Sequence, residues 1–141
     1  MSNYSNVLTT NSPRFVRPNG TSGSSYYYQA IQVTVYTLAT YTFRSNDASG
    51  GQLDLYGCLY DLSFDPYNPA RNLLVCDDDS AGGYQFLINH FLQTSRIYIL
   101  VVTTYRNGDT GYYTINAVGP DTVYMSSVVP PASTTTAPRR E

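Results

Sequence analysis

The sequence predicts an all-β protein, an antiparallel jelly-roll-like β-sandwich of about seven to nine strands. Three observations carry this. Period-two alternation of apolar and polar residues recurs through the middle of the chain, and no stretch shows the helical period. The turns between these runs are rich in Gly, Asn, Asp and Pro, as in SNDASGG, DPYNPAR, DDDSAGG and RNGDTG. Fifteen tyrosines and ten glycines stand where a helical protein would carry lysine and glutamate; every base is an arginine and Glu141 is the sole glutamate.

The strands follow in order. In YYYQAIQVTV, from residue 26, Tyr27, Ile31, Val33 and Val35 fall on one side and Tyr26, Tyr28, Gln32 and Thr34 on the other. TYTFRS (40 to 45), LDLYGCLYD (53 to 61), NLLVC (72 to 76), YQFLINHFL (84 to 92), RIYILVVTTY (96 to 105) and GYYTINAV (111 to 118) complete seven strands. RIYILVVTT is apolar on both faces and is expected in the centre of a sheet, or covered from outside.

At 141 residues the chain suits one domain. Residues 26 to 120 are expected to form the sandwich, with a polar N-terminal arm over 1 to 25. A strand and a Pro/Thr-rich tail are expected over 121 to 141. Phe15 and Val16 are the apolar centre of the arm. Val123, Met125 and Val129 alternate in the C-terminal segment, and all five are expected to face inward or to join neighbouring copies.

The net charge of -2 offers no basic surface for nucleic acid or anionic lipid. No run of apolar residues is long enough to span a membrane as a helix. The opening MSNYSNVLTTNSPRF has neither the basic nor the apolar segment of a secretory signal.

Cys58 and Cys76 bracket the turn-rich segment LSFDPYNPAR. An antiparallel hairpin with Cys58 opposite Cys76 sets Leu59 against Val75 and Tyr60 against Leu74. That is consistent with the apolar pattern and with a cross-strand disulfide; two separately buried thiols or a reactive cysteine are the alternatives. A disulfide implies an extracellular or cell-surface setting.

The same register bears on the acids Asp77, Asp78 and Asp79. Continued past Cys76, it makes Asp54 and Asp78 diagonal neighbours on one face, where like charges call for an arginine, a proton or a cation. Calcium suits an oxygen-only cluster beside the carbonyls of SAGG, so Asp54, Asp77, Asp78 and Asp79 are candidate calcium ligands. The spacing of a dedicated calcium loop is absent; a solvated turn and catalytic carboxylates are the other readings.

The succession YYYQAIQVTV, TYTF, LDLYGCLYD, NLLVCDDDS, YQFLINHFLQTSRIYILVVTTY and GYYTINAVGP resembles the bacterial pre-peptidase C-terminal domain, related to collagen-binding modules of collagenases. The resemblance spans residues 26 to 120. It implies a jelly-roll-like sandwich that serves as a non-catalytic appendage of secreted or surface proteins, in some cases binding calcium or matrix.

Enzymatic signals are sparse. His90 is the single histidine, which excludes a multi-histidine metal site, and it is expected packed or at a sheet edge. No G-x-S-x-G motif occurs. Tyr26, Tyr27 and Tyr28 are expected to fill sheet faces, with a carbohydrate-stacking platform as the alternative. Asn3 and Asn19 stand in N-glycosylation tripeptides, and Ser133, Thr134, Thr135 and Thr136 resemble an O-glycosylated stalk.

Two functions are expected, neither catalytic and neither requiring a cofactor. One is an extracellular structural subunit whose terminal arms add to sheet edges of neighbouring copies, building a homopolymeric filament or surface layer. The other is an accessory module that binds calcium, glycan or matrix through the Asp54 and Asp78 face.

Overall fold

The computed structural model describes residues 1–19, 26–46 and 53–130. Among these there is no helix. Eleven strands run β1 Ser2–Leu8, β2 Arg14–Phe15, β3 Tyr26–Tyr27, β4 Gln29–Val35, β5 Ala39–Asn46, β6 Leu55–Asp61, β7 Leu73–Asp77, β8 Leu87–Leu92, β9 Tyr98–Thr104, β10 Gly111–Val118 and β11 Val123–Ser127. A four-stranded sheet, β1-β10-β5-β8, faces a five-stranded sheet, β11-β4-β9-β6-β7, and β2 with β3 forms a separate ribbon. Every pairing is antiparallel. From β4 onward the path crosses between the sheets at each connection except the β6–β7 hairpin, which gives the sandwich its jelly-roll-like winding.

The alternation is realised as two cores on opposite faces of the five-stranded sheet. Ile31, Val33, Leu59, Leu100 and Val102 meet Tyr41, Phe43, Ile88, Tyr113 and Ile115 between the sheets. On the outer face, Tyr28, Cys58, Tyr60, Ile99 and Val101 pack with Phe15 and Tyr26 of the ribbon and with Phe64. Strand β9 is buried at all seven positions because it is both the middle strand and covered on each side. Tyr26 and Tyr28 are buried here, so they form no exposed stacking platform. Gly57 marks a close approach: a Cβ there would stand 2.7 Å from the buried Phe86 ring.

The strand count exceeds the sequence expectation because the residues before 26 are not a free arm. Ser2–Leu8 pairs along its full length with β10, from Ser2 opposite Ala117 to Leu8 opposite Gly111, and Leu8 enters the main core. Phe15 packs against Tyr28 at 4.8 Å and Phe64 at 5.6 Å between ring centroids, while Val16 is exposed. Arg17 completes the attachment. Its guanidinium lies 3.9 Å from the Tyr56 ring centroid and 4.7 Å from that of Tyr26, and donates to the carbonyls of Pro18 and Tyr105. Such a desolvated cation over aromatic faces contributes about 2 kcal/mol.

At the other end β11 pairs with β4 and turns Val123 into the core, with Met125 packed against its edge. Val129 does not face inward; it lies beyond the end of the strand and is 86% exposed.

Cys58 and Cys76 are opposite one another in the β6–β7 ladder and form a disulfide across a separation of 18 residues. Leu59 meets Val75 as expected. Tyr60 meets Leu73 rather than Leu74, because a bulge shifts the register after Leu59.

Cys58→Ser is expected to lower stability by about 3 kcal/mol through release of the unfolded chain, read as a lowered denaturation midpoint that reductant reproduces in the parent protein; equal midpoints would contradict it. Deleting residues 1 to 8 is expected to lower the melting temperature and expose the β10 edge, since burial of a leucine side chain contributes about 1.5–3 kcal/mol. An unchanged melt would show that β1 adds nothing to the fold.

Candidate metal centre

The acidic site is built where the start of β6 meets the β7–β8 turn. Asp54 is held by its main chain: its carbonyl accepts from Tyr105 N at 2.9 Å, and the next amide, Leu55 N, donates to Tyr84 O at 3.0 Å. The turn is tied to the strand by that second bond. Within the turn, Gly82, Gly83 and Tyr84 all adopt positive φ, at 82°, 62° and 68°. Glycine accepts this conformation at no steric cost, which is the local reason for SAGG.

Asp77 organises the turn. Its carboxylate accepts from Ser80 N at 3.0 Å, Ser80 Oγ at 2.5 Å and Leu87 N at 2.9 Å, closing the loop from both ends. These bonds occupy its oxygens, so Asp77 does not join the other candidate ligands. Asp54, Asp78 and Asp79 do converge, each presenting a carboxylate oxygen within 4.8 Å of the others. Three of the four acids expected as ligands are thus brought together, and Asp77 alone is left out.

The environment of the three acids is uneven. Asp54 is only 6% exposed, yet its Oδ1 has no hydrogen-bond partner, and the buried Oδ1 of Asp78 has none either. Ion pairs among the described residues are Arg96 with Asp61 at 2.7 Å and Arg106 with Asp109 at 3.7 Å; neither arginine pairs with the cluster, and the charge of Arg106 offsets only part of what raises Asp54. Burial, followed by the charge of Asp79, raises the Asp54 carboxyl above the usual range. Burial, followed by the charges of Asp54 and Asp79, pushes Asp78 up to about 7. An orphaned carboxylate oxygen in a site of like charge is relieved by a proton or by a cation.

Catalytic partners are not brought here. His90 lies on β8, an edge strand, with Nδ1 2.9 Å from Phe91 O. The single histidine is thus placed at the sheet edge. Cys58 and Cys76 are consumed in the disulfide. Asn3 is exposed on β1 but accepts a 2.7 Å bond from Asn116, and Asn19 reaches Tyr56 Oη at 3.5 Å. Ser133, Thr134, Thr135 and Thr136 lie outside the described residues.

Three contributors were missed from the sequence. The capping role of Asp77 has a visible signal, the Asp-x-x-Ser spacing to Ser80. The Tyr84 carbonyl bridge and the tyrosine cage of Arg17 have none, because both join residues distant in the chain. No helix among the described residues is long and apolar enough to cross a membrane. Comparison with known proteins gives no match to a family model or to a curated protein.

The acids set a pH dependence opposite in sign to ordinary acid denaturation. Asp78 titrates near 7 in the fold against 3.8 for a free carboxyl, so between those values the folded chain binds more protons than the unfolded one. Its contribution is full below the lower value and is lost as pH rises through the upper. In chelator, the melting temperature is expected to be higher at about pH 5.5 than at about pH 8, and Asp78→Asn to flatten that difference. A metal-free melt that falls on acidification across this window would contradict the placement of Asp78.

Proposed function

We propose that this chain is a non-catalytic, cation-holding accessory module of an extracellular protein, of the pre-peptidase C-terminal kind. One observation carries the reading: Asp54 is buried, with an unpartnered oxygen, against Asp78 and Asp79, and no arginine among the described residues forms an ion pair with them. Such an arrangement is destabilising unless charge is supplied to it, which is a property of a ligand site rather than of a solvated turn. The disulfide favours an oxidising compartment. Catalysis by the same carboxylates would need a partner of matched protonation and a cleft for substrate, and His90 stands on a different sheet, β8 of the four-stranded one. The glycan or matrix partner belongs to the same proposal and rests on the resemblance alone.

Self-assembly through the terminal segments is the rival reading. Its support is the set of outer strands β1, β8, β11 and β7, each with one edge unpaired among the described residues. Against it, the N-terminal strand that would act as donor is already engaged with β10.

A thermal-shift series with divalent cations, set against chelator, separates the two. The module reading expects a concentration-dependent rise in melting temperature at neutral pH, abolished by Asp54→Asn, with the protein monomeric by sedimentation. Filaments or higher oligomers of the full chain, indifferent to cation, would favour the subunit.

A further inference from the structure

Building on the cation-holding reading, and dependent on it, we infer that the ion is calcium, and that when held by Asp54, Asp78 and Asp79 it latches the β7–β8 turn to the start of β6.

More than the proximity of acidic residues points to a ligand. Asp54 is 94% buried, taking its 6% exposure from the whole, and its Oδ1 is left without a donor while the side chain converges on Asp78 and Asp79. Buried carboxylate oxygens are otherwise satisfied, so an unpartnered one aimed into this cluster marks a position for a cation. The unpartnered Oδ1 of Asp78 belongs to the same cluster.

The donor set selects the ion. Only oxygens are offered: the one histidine is on β8, and both cysteines are in the disulfide, which leaves zinc without its nitrogen or sulfur ligands. The three oxygens lie within 4.8 Å of one another, close enough for one cation to touch them all. Magnesium demands a near-ideal octahedron, keeps several waters and is usually bound through one or two carboxylates, whereas three carboxylates drawn from two segments, a strand start and a turn, suit calcium's larger and more flexible shell.

The latch follows from where the ligands sit. Asp54 is on the strand side and Asp78 and Asp79 are on the turn side. Without the ion, the two sides are tied by the Leu55 N to Tyr84 O bond and by the disulfide, while the carboxylates push them apart. With it, the repulsion becomes attraction, and the segment from Asp78 to Tyr84 is held at both ends.

The test uses the full chain, titrated calorimetrically with calcium, magnesium and zinc chlorides at neutral pH, with hydrogen exchange followed at the amides of residues 80 to 83. Calcium is expected to bind one to one and at least about tenfold tighter than magnesium, and to slow exchange at those amides. Asp54→Asn and Asp78→Asn are each expected to melt no lower than the metal-free parent and to lose calcium affinity by at least about tenfold. Asp121→Asn, at an exposed acid that accepts from Thr37, is expected to bind calcium as the parent does. Should no divalent cation bind, the cation-holding reading itself fails. If magnesium or zinc binds as tightly as calcium, if Asp54→Asn retains calcium, or if exchange at residues 80 to 83 is unchanged by calcium, the latch fails while cation holding stands.

Discussion

Cys58 faces Cys76 across β6 and β7, and from this one register the position of the acids follows. Gly57 opposite Asp77 is the last ladder pair, so the chain leaves the sheet with Asp78 directed to the side from which Asp54 enters it. The disulfide stops the hairpin from slipping by one residue, a slip that would turn every side chain of β7 to the other face. β6 is in turn bonded to β9 over seven pairs, Leu55 opposite Thr104 through Asp61 opposite Tyr98. Asp54 therefore stands at the start of one of the most buried strands of the sandwich, while Asp78 and Asp79 reach it from the turn.

The second core explains why this sheet carries more than the usual half-buried surface. Phe15, Tyr26 and Phe64 lie over Tyr28, Tyr60 and Ile99, so β9 can be apolar on both faces without exposing either. Tyr60 donates to Pro69 O at 2.6 Å and Thr103 to Tyr27 O at 2.6 Å, which satisfies hydroxyls in the covering layer. Arg17 serves the same layer. Among the described residues it forms no ion pair; tyrosine faces and two carbonyls balance its charge, and the segment that follows β2 is fastened over Tyr56. Tyr56 is two residues from Asp54, so the N-terminal segment braces the strand that presents the buried acid.

What was legible in the sequence was whatever depends on period two. β5, β9 and β10 appear within a residue or two of their expected limits, and the run expected from 26 to 35 appears as β3 and β4 broken at Tyr28, because one face of each long strand meets a core that the alternation records. The pairing of Asp54 with Asp78 was legible for the same reason, being an extension of the cysteine register. β1 was not: in SNYSNVL the residues on the inward side are Ser2, Tyr4, Asn6 and Leu8, and only Leu8 is strongly apolar and buried. The bulge after Leu59 was invisible because Leu73 and Leu74 are chemically alike, so either could be set against Tyr60. That Asp77 would turn aside to cap the turn depended on the path after the strand end, where periodicity no longer applies.

Why the repulsion persists in the metal-free fold is a question of what its relief would require. Asp54 could withdraw only by giving up the Tyr105 N to Asp54 O bond and the first rungs between β6 and β9. Asp78 and Asp79 have their main chain fixed by a turn that Asp77 closes with three bonds and that is anchored next to the disulfide. Each such bond contributes about 0.5–1.5 kcal/mol net. Neutralising the carboxylates disturbs none of them. A proton does so for one acid at a time, whereas a divalent cation answers all three and adds direct bonds between strand and turn. The scaffold is thus stiff where the charges are concentrated, and stiffness is what converts an unfavourable cluster into affinity for an ion.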